Sequence, residues 1–141
     1  MMIDIEHTDR VDTIIINDEA IELDYNCIDL VNFYNSVGLK TKFCCEGHKN
    51  SNVSGVCKFY IMFDVCVKDK HIKEFLFKYK DLHNKASFCS INYYKWFRLH
   101  KNKLLSNWVF HVHYDYKHKV DVLKKINKMA KTLTKINKYG Y

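Results

Sequence analysis

A chain of 141 residues that is 48% hydrophobic and 15% aromatic can bury one core, which excludes disordered and low-complexity classes. Its formal charge of +7 is split into −8 over residues 1–37, +8 over 38–116 and +7 over 117–141, unlike a uniformly basic nucleic-acid module. No run approaches the ~18 apolar residues of a membrane span and the start MMIDIEHTDR is no signal peptide, so a cytoplasmic single domain, 1–141, is expected, with no membrane partner.

The first block, 1–37, opens with residues 12–23, a β-branched run interrupted by Asn17-Asp18, which predicts a strand or small hairpin. Asp24 then stands as N-cap of a helix over 25–37, with Cys27, Leu30, Val31, Tyr34 and Val37 on its apolar face and Gly38 as a left-handed stop. In the 38–116 block, alternation over Leu39–Cys45 predicts a strand, followed by the loop 46–55 and a buried strand over 56–67. Ile72, Phe75, Leu76, Tyr79 and Leu82 mark one face of a helix over 68–82. Extended segments at 88–99 and 107–116 flank a polar loop at 100–106. The last block, 117–141, holds a basic amphipathic helix with Val122, Ile126, Met129, Leu133 and Ile136 at 4-3-4-3 spacing.

After residue 38 the order is strand, strand, helix, twice. Phe43-Cys44 matches Phe88-Cys89, and residues 59–64, FYIMFD, resemble residues 110–115, FHVHYD. A degenerate ββα duplication is expected, and with it an α+β fold: an antiparallel sheet with helices on one face.

The most distinctive segment is Thr41-Lys42-Phe43-Cys44-Cys45-Glu46-Gly47-His48. A glycine able to take positive φ, followed by Lys49, Asn50, Ser51, Asn52 and Ser54, can present consecutive donors to an anion. Lys40, Lys42 and Lys49 add positive potential. An ordinary polar hairpin loop has the same composition.

Residues 24–48 resemble a family of small bacteriophage and bacterial proteins with a helix, a glycine, a threonine and then Ser/Cys-Cys-x-Gly-His. Gly38, Thr41, Cys44, Cys45, Gly47 and His48 stand at the matching positions. A fainter similarity is to a wybutosine-synthesis methyltransferase family with Ser-Cys-Ser-Gly-Arg, where this chain has His48. The phage resemblance implies a protein working in the host cytoplasm. By analogy with phage proteins that sequester nucleotide immune signals, it also implies a ligand-capturing role.

Other side chains could share the ligand. His111 and His113 fall on one strand face with Asp115, opposite Trp108, Phe110, Val112 and Tyr114. Tyr60 stands in the duplicate strand at one of the histidine positions. The aromatic group Tyr93, Tyr94, Trp96 and Phe97, with Lys95 and Arg98, could stack on a base and contact phosphate, and either Trp96 with Arg98 or Tyr93 with the neighbours of Lys95 could line a pocket. Six cysteines in a chain of this size read as free thiols in a reducing compartment. Cys45, His48 and Cys57 are the combination that could hold zinc, but paired knuckles are missing, so no cofactor is expected. A Cys45–His48 nucleophile pair lacks an orienting third residue, and no phosphate-loop, Rossmann or zinc-protease motif occurs.

The expectation is therefore a binding protein rather than an enzyme, taking an anionic nucleotide-type ligand on Lys42, Cys45, Glu46, Gly47, His48, Lys49, Ser51, Tyr60, Trp96, Arg98, His111 and His113. The alternatives are nucleic-acid binding through the C-terminal lysines, or a Cys/His metal-dependent enzyme acting on nucleotides. A homo-oligomer would let the acidic N-terminal block face the basic surface of a neighbour.

Overall fold

A computed structural model describes residues 11–16, 18–47, 56–81 and 90–139. The chain starts with an antiparallel hairpin, β1 (Val11–Ile16) and β2 (Glu19–Asp24), in register from Val11↔Asp24 to Ile16↔Glu19. Asp18 takes the tight connection at φ +66°, a conformation that Asp tolerates better than most residues. Ile14, Ile16 and Ile21 turn toward the core, where Leu23 is buried.

A 3₁₀ turn, Tyr25–Cys27, leads into α1 (Ile28–Ser36). Asp24 does not cap this turn with its side chain as the sequence suggested. Its Oδ2 accepts the Glu46 backbone N–H instead, at 3.0 Å, so a partner 22 residues away wins over the local one. The helix stops as anticipated: Gly38 is left-handed at φ +86° and the Leu39 N–H returns to the Tyr34 carbonyl at 2.9 Å.

The main sheet contains β3 (Thr41–Cys45), β4 (Val56–Phe63), β5 (Ser90–His100) and β6 (Lys103–Asp115), in the antiparallel order β3-β4-β6-β5. Helix α2 (Asp69–Lys78) follows β4. Helix α3 (Lys119–Tyr139) follows β6 through the 3₁₀ turn Tyr116–His118. The fold is α+β. A helix after each central strand is the arrangement a doubled ββα unit makes. Tyr60 pairs with His111, and these are also the residues that the two similar segments equate. Phe88-Cys89, the other half of the proposed repeat, lies outside the described residues.

The sequence's polar loop at 100–106 is overturned. The pairing of β5 with β6 continues to His100↔Lys103, and only Lys101 (φ +49°) and Asn102 (φ +62°) turn the chain. Two successive left-handed residues match the twist of flanking strands, so a tight turn fits without a long loop. Polar side chains at 100–106 hid it because this end of the hairpin extends past the rest of the sheet. β4 reaches only as far as Met62↔Val109, and from Lys95↔Trp108 to the tip the two strands run alone.

Alternation decides the two faces of the sheet. Phe59, Ile61, Phe63, Phe110, Val112 and Tyr114 turn to one side and are buried there with Leu30, Val31, Phe33 and Tyr34 of α1, Ile72 and Phe75 of α2, and Val122, Ile126, Met129 and Leu133 of α3. The Tyr34 ring stands edge-on to Phe63, with centroids 4.8 Å apart, and its hydroxyl meets that of Tyr93 at 2.7 Å. Burial pushes both phenols well above their ordinary range. The 4-3-4-3 stripe of α3 is thus taken up by the protein's own core, which leaves most of its lysines outward. No helix among the described residues is long and apolar enough to cross a membrane.

Candidate functional site

The Cys-Cys-Glu-Gly segment ends β3 and is inward-directed rather than open. Glu46 and Lys119 are both buried charges, at 0% and 1% exposure. Lys119 Nζ lies 3.6 Å from Glu46 Oε2 and donates to the Gly47 carbonyl at 2.6 Å. Asn26 Nδ2 donates to Glu46 Oε2 at 2.9 Å, Asn127 Nδ2 donates to Asn26 Oδ1 at 3.3 Å, and Tyr114 Oη donates to the Glu46 carbonyl at 2.7 Å. Together these bonds clasp the end of β3 to α3, the 3₁₀ turn and β6. A buried carboxylate needs such partners, because an isolated ion would cost several kcal/mol to desolvate. This corrects the sequence reading in which Glu46 faces a ligand: the side chain is sealed from solvent.

Among the described residues, no helix packs on the opposite face of the sheet. Its side chains form rows across the strands: Lys58 and His113; Cys45, Tyr60, His111 and Asn92; Phe43, Met62, Val109 and Tyr94; then Asn107 and Trp96. Lys58, Tyr60, Met62, Tyr94, Trp96, Val109 and His111 line a groove of about 280 Å³. Tyr94 and Trp96 are 42% and 45% exposed, as expected of rings that no helix covers. Arg98 sits beyond the groove with its guanidinium carbon 5.8 Å from the Trp96 ring. The Tyr94 ring stands edge-on to His111, with centroids 5.5 Å apart, and the His111 and His113 rings are 4.1 Å apart.

Burial first, then the neighbouring His113 and Lys58, lowers the His111 pKa to about 4. The groove therefore holds a neutral imidazole, which both donates and accepts a hydrogen bond. Between pH 6.5 and 4 the unfolded chain binds a proton at His111 and the folded chain does not. Stability is then expected to fall as the pH drops through that window and to level off below it. Urea denaturation across the window checks this: His111→Gln should flatten the slope, and an unchanged slope would assign the acid sensitivity elsewhere.

The structure brings together Tyr60, Trp96, Arg98, His111 and His113 of the sequence-predicted set on the bare face, with Cys45 at the β3 end of the Tyr60 row. Lys42 stands on the edge strand, 5.7 Å from the Phe43 ring centroid. Gly47 takes φ +92° and packs against Tyr114. His48, Lys49 and Ser51 lie outside the described residues. Sequence reasoning missed Lys58, Met62 and Val109. Of the aromatic group, Tyr94 and Trp96 face this groove and Tyr93 and Phe97 face the other side; Val109 reads as core until the uncovered face is known.

Cys45 pairs with Tyr60 on the bare face, whereas Cys57 pairs with Tyr114 on the core face. The sheet separates these two thiols, which is why alternation sets them apart as ligands of one ion. No three His, Cys, Asp or Glu side chains among the described residues gather as a metal site. Burial pushes the Cys45 thiol up, away from the thiolate a nucleophile needs.

Comparison with known proteins adds one finding. A family model described as YoqC prophage protein matches residues 12–138, nearly the whole chain. No curated protein and no solved structure matches it.

Proposed function

We propose that this chain, which belongs to the YoqC prophage protein family, captures an anionic nucleotide on the bare face of its sheet. The observation that carries the reading is the groove in which Tyr60, Tyr94, Trp96 and the neutral His111 meet Lys58. Exposed aromatic rings on a sheet offer a base a π-face, each stack contributing about 1–3 kcal/mol. His111 can hydrogen-bond a base edge, and Lys58, with Arg98 at the far end, supplies positive charge for phosphate. Most of the α3 lysines lie behind the sheet and do not extend this surface, which favours a free nucleotide over a long nucleic-acid strand. In a prophage-borne protein acting in the host cytoplasm, such capture would withdraw a nucleotide immune signal.

Trp96 reports on the test directly. Trp108, the other tryptophan, faces the helix side and donates to Asp69 Oδ1 at 2.9 Å. In a Trp108→Phe background, adenosine monophosphate, a cyclic dinucleotide or ADP-ribose should quench the remaining fluorescence. Trp96→Ala, followed by calorimetry, should weaken binding about 10–100-fold, the value of one lost stack. An oligonucleotide bound more tightly than every free nucleotide would shift the reading to single strands. Incubation with a nucleotide extract should release unmodified nucleotide on denaturation; a converted product would make the protein an enzyme.

A further inference from the structure

Two exposed apolar patches at opposite edges of the molecule carry charge of opposite sign. The first is the free end of the β5–β6 hairpin. On its helix-facing side, α2 reaches only to Lys95 and Trp108, both held by Asp69. Beyond that anchor Phe97, Leu99 and Leu104 share one side of the two-stranded arm, 57%, 79% and 66% exposed. Lys101 and Lys103 rim them at the turn, and residues 95–108 contain no Asp or Glu.

The second is the outer side of the β1–β2 hairpin. Val11 and Ile15 are 49% and 69% exposed there, beside Thr13, Ala20 and Glu22. Asp18 and Glu19 sit at its turn, and residues 11–24 contain no Lys or Arg. This hairpin packs against α1 and the edge strand β3, while the arm belongs to the other edge strand, β5.

We infer that the two patches join in a dimer of this chain, the acid-rimmed β1–β2 face of each copy covering the base-rimmed underside of the arm of the other. Twofold symmetry closes both contacts at once, so the assembly stops at two copies. A second copy is the occupant because one sequence supplies both halves of the complementarity. Each half alone is an apolar sheet surface with charge of a single sign, and such charge steers association and fixes its register. The inference is independent of the nucleotide groove, which lies on the other side of the sheet.

Sedimentation equilibrium of the full chain tests it. The expected result is a dimer that weakens with added salt. Leu99→Lys with Leu104→Lys should raise its dissociation constant about tenfold or more, equivalent to roughly 1.4 kcal/mol. Glu19→Lys with Glu22→Lys should weaken it as well, and adding Lys101→Glu with Lys103→Glu in the same chain should restore it. These positions are exposed, and circular dichroism verifies that each variant keeps its fold; should the leucine variant unfold, the charge-reversal set still decides. A wild-type chain that stays monomeric, or a dimer untouched by charge reversal, or a reversal that the compensating pair does not rescue, would overturn the inference.

Discussion

Replacing Lys119 with methionine is expected to destabilise the protein by about 3–5 kcal/mol, the usual cost of leaving a buried charge without its partner. Lys119 and Glu46 are sealed in the interior, 3.6 Å apart. Methionine fills the same volume with no cation, and also removes the donor that reaches the Gly47 carbonyl. The Glu46 carboxylate would then be ionised in an apolar site, or protonated at a free-energy cost. Urea denaturation measures the loss as a lower midpoint with an unchanged slope. Pairing Lys119→Met with Glu46→Gln should recover most of the stability, because no unpaired charge remains and Asn26 can still donate to the new side-chain carbonyl. A single variant as stable as wild type would mean the ion pair is not sealed from water.

Gly47→Ala should cost about 3 kcal/mol, combining a left-handed φ with a broken buried hydrogen bond. At φ +92° any side chain is strained, and here a Cβ would also collide with the Tyr114 hydroxyl and come within 3.1 Å of the Lys58 carbonyl oxygen. Tyr114 would have to move away, breaking its bond to the Glu46 carbonyl. Gly38 separates the two causes. It has a similar φ, +86°, but open space where a Cβ would sit. Gly38→Ala should therefore cost only the conformational part, about 1–2 kcal/mol. Thermal denaturation of the two variants side by side checks this, and equal losses would remove the steric account of Gly47.

Both predictions relocate the meaning of the Cys-Cys-Glu-Gly-His segment. On sequence alone, a glycine with flanking lysines and amides looks like the start of an anion nest. The described part instead works as a clasp, in which Gly47 is small because Tyr114 is close and Glu46 is acidic because Lys119 is inside. Lys119 was indistinguishable in sequence from the seven other lysines of residues 117–141, a segment that reads as one basic amphipathic helix. Only its place in the first turn of α3, over the end of β3, separates it from the solvated ones. The groove was legible in part for a related reason. His111, Tyr60 and Trp96 stood out as residues that alternation could place outward, whereas Lys58 and Met62 gave no local signal.

By itself the sequence determined the local elements and their apolar stripes. The β1–β2 hairpin, the Gly38 stop, the buried run of β4 and the stripe of α3 all follow from side-chain periodicity and from residues that tolerate left-handed backbone, which are properties of neighbours in the chain. Which side of the sheet would be bare was decided only when α1, α2 and α3 packed together on the other. Alternation defines two faces but cannot say which one the helices will cover, since both carry aromatic rings. The Lys119 contact with Gly47, spanning 72 residues, and the arm left uncovered beyond α2 have the same origin. They depend on where separate elements meet in space, and that is set by how the whole core buries its apolar surface.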